Sequence, residues 1–267
     1  MHQQKKLNQK LIGLAIVNNA IYMIINKLIG GGKSLAKKLL YGEKCDNDTY
    51  VAYLKKLGVE IGENTYFFSP RTTTVDTTRP YLLKIGKGVK ITANVTILTH
   101  DFSFSVLRPV FHELMIECKG YTKIGDNTFI GMNASIMPGV SIGKNCIIGT
   151  NSVVTRDIPD NMVAAGNPAK VVCSLEDFYQ KRKVRVLEDA FRLAAIIRKE
   201  KGREPLPKEV GYPFLYIERT IEALRNSGCR TKIHGDSECE IIKDFLSSAP
   251  MFNSFEEFLE ASKSFEV

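Results

Sequence analysis

From Ile124 onward the chain places a β-branched apolar residue at every sixth position: Ile130, Ile136, Ile142, Ile148 and Val154. Ile85, Ile91 and Ile97 keep the same interval, and Ile61 with Phe67 opens an earlier block. A helix returns its apolar face every three or four residues and a half-buried strand every two, so a strict six fits neither. The positions between the anchors explain the period. Three residues after successive anchors stand Asn64, Gly88, Asn94, Asn127, Asn133, Gly139, Asn145, Asn151 and Asp157, the residue types that tolerate positive φ. Two residues before them stand Val89, Val95, Thr128, Ala134, Val140, Cys146 and Ser152, of a size that fits an inward position beside a tight corner. A short strand and a corner every six residues closes a triangular coil after three repeats. Stacked coils then pair as parallel strands about 4.8 Å apart. The pattern predicts a β-helix and leaves its hand open.

One stretch breaks the rhythm. In Ile97-Leu98-Thr99-His100-Asp101-Phe102-Ser103, His100 takes the corner slot that asparagine or glycine fills elsewhere, and the next anchor, Ile124, lies 27 positions after Ile97. Since 27 is not a multiple of six, the chain leaves the coil after His100 and returns out of phase. Excursions from a rigid scaffold are where functional residues are placed. The plain reading of His100 is a side chain tolerated at a left-handed corner. His112, in the same loop, reads as a packing or surface residue, or as an acceptor contact. Asp101 reads as a turn-stabilising aspartate or as a residue that orients the histidine or binds acceptor.

The flanks have a different pattern. The run from Leu11 to Ile29 is apolar but holds Asn18, Asn19, Asn26 and Lys27, which favours a buried or surface-lying helix over a span and leaves peripheral membrane contact open. Residues from Asp48 to Leu57 read as a short helix that delivers the chain to the first coil. Ser174 followed by Asp177 resembles a capping box opening a basic helix through about Lys199, and Ser237 with Glu240 and Ser254 with Glu257 mark two further helix starts. The expected organisation is an N-terminal helical segment over 1–57, a β-helix over 58–173 with a loop at 98–123, and a C-terminal helical extension over 174–267.

Composition narrows the chemistry further. The 267 residues carry a net charge of +8, which suits an anionic partner or a solvated lysine-rich surface. No nucleic-acid recognition pattern accompanies that charge. Cys45, Cys118, Cys146, Cys173, Cys229 and Cys239 form no CxxC pair, so reduced thiols in a cytoplasmic protein are expected. Cys146 sits at an inward slot and reads as core filler.

The repeated Ile-Gly-x-Asn pattern, followed by Ala165-Gly166-Asn167-Pro168-Ala169-Lys170, resembles the hexapeptide-repeat acyltransferases. Within them it is similar to the maltose, galactoside and xenobiotic acetyltransferases and the O-acetyltransferases of surface polysaccharides. The resemblance covers about residues 58–173. It implies a left-handed β-helix, a homotrimer, and acetyl-CoA bound between neighbouring subunits. It also implies that the extended loop carries an essential histidine, here His100. A hydroxyl or amine attacking a thioester must lose its proton as the bond forms, and an imidazole with an ordinary pKa near 6.5 is a fitting acceptor. By the same resemblance Met132, Thr150, Thr155, Arg156 and Lys170 line the coenzyme. Arg156 and Lys170 suit its phosphates. In Val75-Asp76-Thr77-Thr78-Arg79-Pro80, Asp76 matches an acidic acceptor-pocket residue, with Arg79 beside it; a carboxylate capping the corner is the alternative. Lys181, Arg182 and Lys183 read as a solvated helix face or as contacts to the coenzyme's 3′-phosphate.

Some hexapeptide β-helices hold zinc with three histidines. Besides His100 and His112 only His2 and His234 exist here, so no metal is expected. The expected activity is acetyl-CoA-dependent O-acetylation of a saccharide by direct transfer, without nucleic acid as partner. The alternatives are N-acetylation of an amino sugar or xenobiotic, and a non-catalytic β-helix that assembles partners.

Overall fold

The computed structural model describes residues 37–113, 119–227 and 236–265. The apolar run Leu11–Ile29, Cys118, Cys229, His2 and His234 lie outside them. Among the described residues, no helix is long and apolar enough to cross a membrane.

The hexads fold into a three-sided parallel β-helix. On the first face Glu60–Ile61, Leu83–Ile85, Thr122–Ile124 and Ser141–Ile142 stack in that order. The second face stacks Tyr66–Phe67, Lys90–Ile91, Phe129–Ile130, Ile147–Ile148 and Met162–Ala165, closed by the antiparallel strand Lys170–Ser174. The third stacks Thr74–Val75, Thr96–Ile97, Ser135–Ile136 and Val153–Val154. The chain visits the faces in rotation, and the register sets anchor on anchor. Ile61, Ile85, Ile124 and Ile142 form one inner column, Phe67, Ile91, Ile130 and Ile148 a second, and Val75, Ile97, Ile136 and Val154 a third. All twelve are buried. Each such side chain removed from water contributes about 1.5–3 kcal/mol, which is why the period is kept so strictly. The small slots Val89, Val95, Thr128, Ala134, Val140, Cys146 and Ser152 are buried with them, and burial pushes the Cys146 thiol pKa up.

The corners follow from residue type. Asn64, Asn94, Asn127, Asn133, Asn145 and Asn151 hold φ between 52° and 59°. Their side chains then bond down the stack: Asn94 to Asn133 at 2.9 Å and Asn133 to Asn151 at 3.0 Å on the edge between the second and third faces. Asn127 to Asn145 at 3.0 Å and Asn145 to Asn161 at 2.9 Å do the same on the edge between the first and second. Two slots depart from the expectation. Neither Asp157 nor His100 has positive φ. Asp157 instead accepts the Ser141 N–H from the coil below at 2.8 Å.

Helix α1 (Asn47–Leu57), one residue longer than the sequence suggests, starts on the Asp46 side chain and ends at left-handed Gly58. It seats Tyr50 and Leu54 over the open end of the coil, Tyr50 meeting Phe67 edge-on at 5.1 Å. In the third coil Thr122–Ile124 is already a strand, so the coil resumes two residues before the expected loop end. A second short helix, α2 (Leu107–Phe111), lies in that loop. Beyond the coil, α3 (Leu175–Lys201) starts on Ser174, whose hydroxyl accepts the Asp177 N–H. Its second half packs Ala190 and Ala194 against Val210, Leu215, Tyr216 and Phe258 in a separate small core. The Ser237 and Ser254 caps open helices at Glu238–Ser247 and Phe255–Ala261.

The glycine of the Ile-Gly corner is required by stacking. A Cβ at Gly125 would lie 2.5 Å from the Gly143 carbonyl carbon and the Lys144 nitrogen, inside van der Waals contact with backbone that cannot swing away. Gly125→Ala should therefore destabilise the protein by about 1–3 kcal/mol, read as a lowered melting temperature. An unchanged Tm would show that the coils tolerate wider spacing there.

Candidate active site

The excursion begins and ends on one side chain. Buried Thr122 donates its hydroxyl to the Leu98 carbonyl at 2.9 Å and accepts the Gly139 N–H at 3.0 Å. The loop leaves and rejoins the coil at the edge between the third and first faces, on a fixed base. His100 stands at that departure point.

The register of the third face supplies its partner. Val75 pairs with Ile97, so Asp76, the next residue, lies beside the start of the excursion and donates its N–H to the Ile97 carbonyl at 2.8 Å. Its carboxylate is fully engaged. Oδ2 accepts from the Thr99 N–H at 2.9 Å and the Thr99 hydroxyl at 2.6 Å, and meets His100 Nδ1 at 2.5 Å. Oδ1 accepts the Thr78 N–H at 2.9 Å. The Asp76 side chain is 7% exposed and that of His100 is 24%. Burial alone would raise the Asp76 pKa, but the hydrogen bonds from Thr99, Thr78 and His100 together outweigh it and hold the carboxyl well below the usual range. An ionised Asp76 accepts from Nδ1–H, which leaves Nε2 of the neutral ring with a free lone pair. The arrangement can take a proton from a group placed at Nε2.

The remaining candidates divide. Asp101 accepts the Ser103 N–H at 2.8 Å, which lowers its pKa and closes a local turn. His112 is exposed and ends α2 in the left-handed conformation, φ 58°. Arg79 is half-buried at the start of the turn that leads to the second coil. Thr155 and Arg156 are exposed on the same edge as His100, two coils on and about 10 Å along the stack. Met132 and Thr150 are exposed at the other edge of the third face. Lys170, also exposed, follows the Gly166–Ala169 turn, which is bonded to Val153 through Val153 N–H to the Gly166 carbonyl and Ala169 N–H to the Val153 carbonyl. One chain thus brings Asp76, Thr99 and His100 together and sets the coenzyme candidates along two edges. Lys181, Arg182 and Lys183 are exposed on α3, with the Arg182 guanidinium over the Phe178 ring. Among the described residues no group of three His, Cys, Asp or Glu side chains is placed to hold a metal ion.

Sequence reasoning missed Thr99 and the pairing of Asp76 with His100. Stacking Val75 on Ile97 is what brings Asp76 to Thr99 and His100, and the eight-residue step from Phe67 to Val75 conceals that alignment in the hexad pattern.

The bacterial transferase hexapeptide pattern of six repeats matches residues 121–156. Protein CapG of Staphylococcus aureus is 41% identical over 137 residues, covering 51% of this chain and 76% of that protein. The galactoside O-acetyltransferase of Escherichia coli K12 is 36% identical over 150 residues, covering 54% and 69%. A crystal structure of a maltose O-acetyltransferase from Clostridium difficile 630 matches with a TM-score of 0.38 at 28% identity, over 52% of this chain and 81% of that one.

The Asp76 interactions make stability depend on pH. With the folded pKa depressed, their contribution is complete above the unfolded aspartate value of about 4 and is lost as pH falls towards the folded value. The Tm gap between wild type and Asp76→Asn should be widest near neutral pH and narrow steadily from about pH 5 to pH 3. A gap independent of pH would mean that Asp76 is not held as an ionised partner.

Proposed function

The chain belongs to the bacterial hexapeptide-repeat transferases and is an acetyltransferase; from that premise we propose that it moves an acetyl group from acetyl-CoA to a saccharide hydroxyl, with His100 as general base. The observation that carries this is the 2.5 Å contact between His100 Nδ1 and Asp76 Oδ2 at the base of a loop anchored by Thr122. A saccharide acceptor is supported by the galactoside O-acetyltransferase relative.

Acetyl-CoA, when bound, supplies the electrophilic thioester carbonyl. His100 takes the proton of the acceptor hydroxyl at Nε2 as its oxygen bonds to that carbon, and returns a proton to the departing thiol sulfur. Asp76 is a positioning residue: it fixes the ring and stabilises the imidazolium formed in between. Thr99 and Thr78 fix Asp76. No acyl-enzyme is needed, so no serine or cysteine nucleophile is assigned.

Arg156 and Lys170 are exposed cations suited to phosphates, and Met132, Thr150 and Thr155 present outward surface for the rest of the coenzyme. They lie at opposite edges of the third face, whose outward residues Thr74, Thr96, Ser135 and Val153 are small. This supports a homotrimer in which the coenzyme groove is completed by the edge of a neighbouring copy, with the coil left-handed as in the family's acetyltransferases. Arg79, three residues after Asp76, is assigned to acceptor binding, and Asp101, next to His100, shapes the acceptor side of the site.

His100→Ala should lower acetyl transfer by about 10²–10⁴-fold while the Kd for coenzyme A stays near wild type. A variant retaining a third or more of wild-type turnover would remove His100 as the base. Light scattering should give about three times the chain mass; a stable, active monomer would refute the shared groove.

A further inference from the structure

We propose that Phe102 is a specificity-determining residue that receives the apolar C–H face of the saccharide acceptor and holds the acceptor beside His100; this rests on the saccharide reading given above.

The Phe102 side chain belongs to an apolar residue that is 67% exposed. A single exposed apolar side chain is ordinary on a protein surface. This one is held in place next to the proposed base. Its ring stands 6.3 Å from the His100 ring, centre to centre, at an interplanar angle of 84°. Phe104 packs against it at 5.5 Å. The backbone on both sides is fixed: Asp101 accepts the Ser103 N–H at 2.8 Å, and the Phe102 carbonyl accepts the Ser105 N–H at 3.1 Å. These bonds close the turn and present the ring to solvent instead of folding it inward. Asp101 thus has a structural function in the site, through its neighbour.

The chemistry of the stretch matches a sugar ring. Phe102-Ser103-Phe104-Ser105 alternates aromatic faces with hydroxyls, and Ser103 and Ser105 are exposed beside Phe102. A pyranose is amphipathic in the same way, with C–H bonds gathered on its faces and hydroxyls around its rim. The positive hydrogens of a C–H face lie well on the negative face of an aromatic ring. The rim hydroxyls then reach the serines or water, and one of them is left for Nε2. With Nδ1 committed to Asp76, the orientation of the acceptor must come from outside the His–Asp pair, and among the described residues of the loop Phe102 is a side chain held against the His100 ring.

The test uses the full-length protein and follows thiol release from acetyl-CoA with maltose and methyl β-galactoside as acceptor probes. Phe102→Ala should raise the acceptor KM by about three- to tenfold, with the acetyl-CoA KM unchanged. Phe102→Trp, which restores an aromatic face, should return the acceptor KM to near wild type, whereas Phe102→Leu, apolar without a π face, should not. Recovery by Leu would reduce Phe102 to loop packing and overturn the proposal. So would an acceptor KM in Phe102→Ala within about 1.5-fold of wild type, or a rise in the acetyl-CoA KM instead; the saccharide reading would survive all three. Wild-type protein that releases thiol no faster with either sugar than with water alone would defeat the saccharide reading and this proposal together.

Discussion

Everything functional in this molecule depends on the register between parallel hexads. Stacking Val75 on Ile97 is a packing event, driven by the removal of apolar side chains from water. Its consequence is electrostatic, because the residue after Val75 is Asp76 and the residues two and three after Ile97 are Thr99 and His100. A shift of one residue along the strand would turn inner-column residues outward and separate the carboxylate from the imidazole. The core and the proposed catalytic pair are therefore specified by the same constraint, and the pair needs no dedicated scaffold of its own.

The second contribution is rigidity at the point where the repeat is abandoned. A long excursion would ordinarily be free to wander, yet Thr122 ties the Leu98 carbonyl to the start of the next coil and takes a hydrogen bond from Gly139. His100 is thereby part of the coil's edge and not of the loop it introduces. Asp76, its side chain largely covered on the same edge, is surrounded by donors. A carboxylate placed there is ionised because its hydrogen bonds favour the charged form more than its burial opposes it.

Much of the fold was legible because hexad physics is local. Isoleucine at six-residue intervals, asparagine where φ must be positive, and glycine where backbones nearly touch are each readable from residue type, and the inner columns, corners and helix caps follow. The site was legible only in part. His100 stood out by interrupting the pattern, and the break in phase showed that the chain leaves the coil there; the alternative of a left-handed corner is not adopted, since His100 has no positive φ. The pairing with Asp76 was hidden by irregular spacing: Val75 comes eight residues after Phe67 instead of six, so its place in the third column, and with it the neighbour of His100, emerged only from the stacked strands. The role of Thr99 depended on the same alignment. Where Met132, Thr150 and Lys170 stand relative to Thr155 and Arg156 was likewise a matter of edges, which a linear repeat does not number.

The central claim is that Asp76 holds His100 with Nδ1 protonated and Nε2 free to accept a proton. Nitrogen-15 NMR of histidine-labelled protein near neutral pH, with the His100 resonances assigned by comparison with His100→Ala, reads this tautomer directly. The account predicts a protonated, pyrrole-like Nδ1 and an unprotonated, pyridine-like Nε2 for His100. The reverse tautomer, or equal populations of the two, would contradict it.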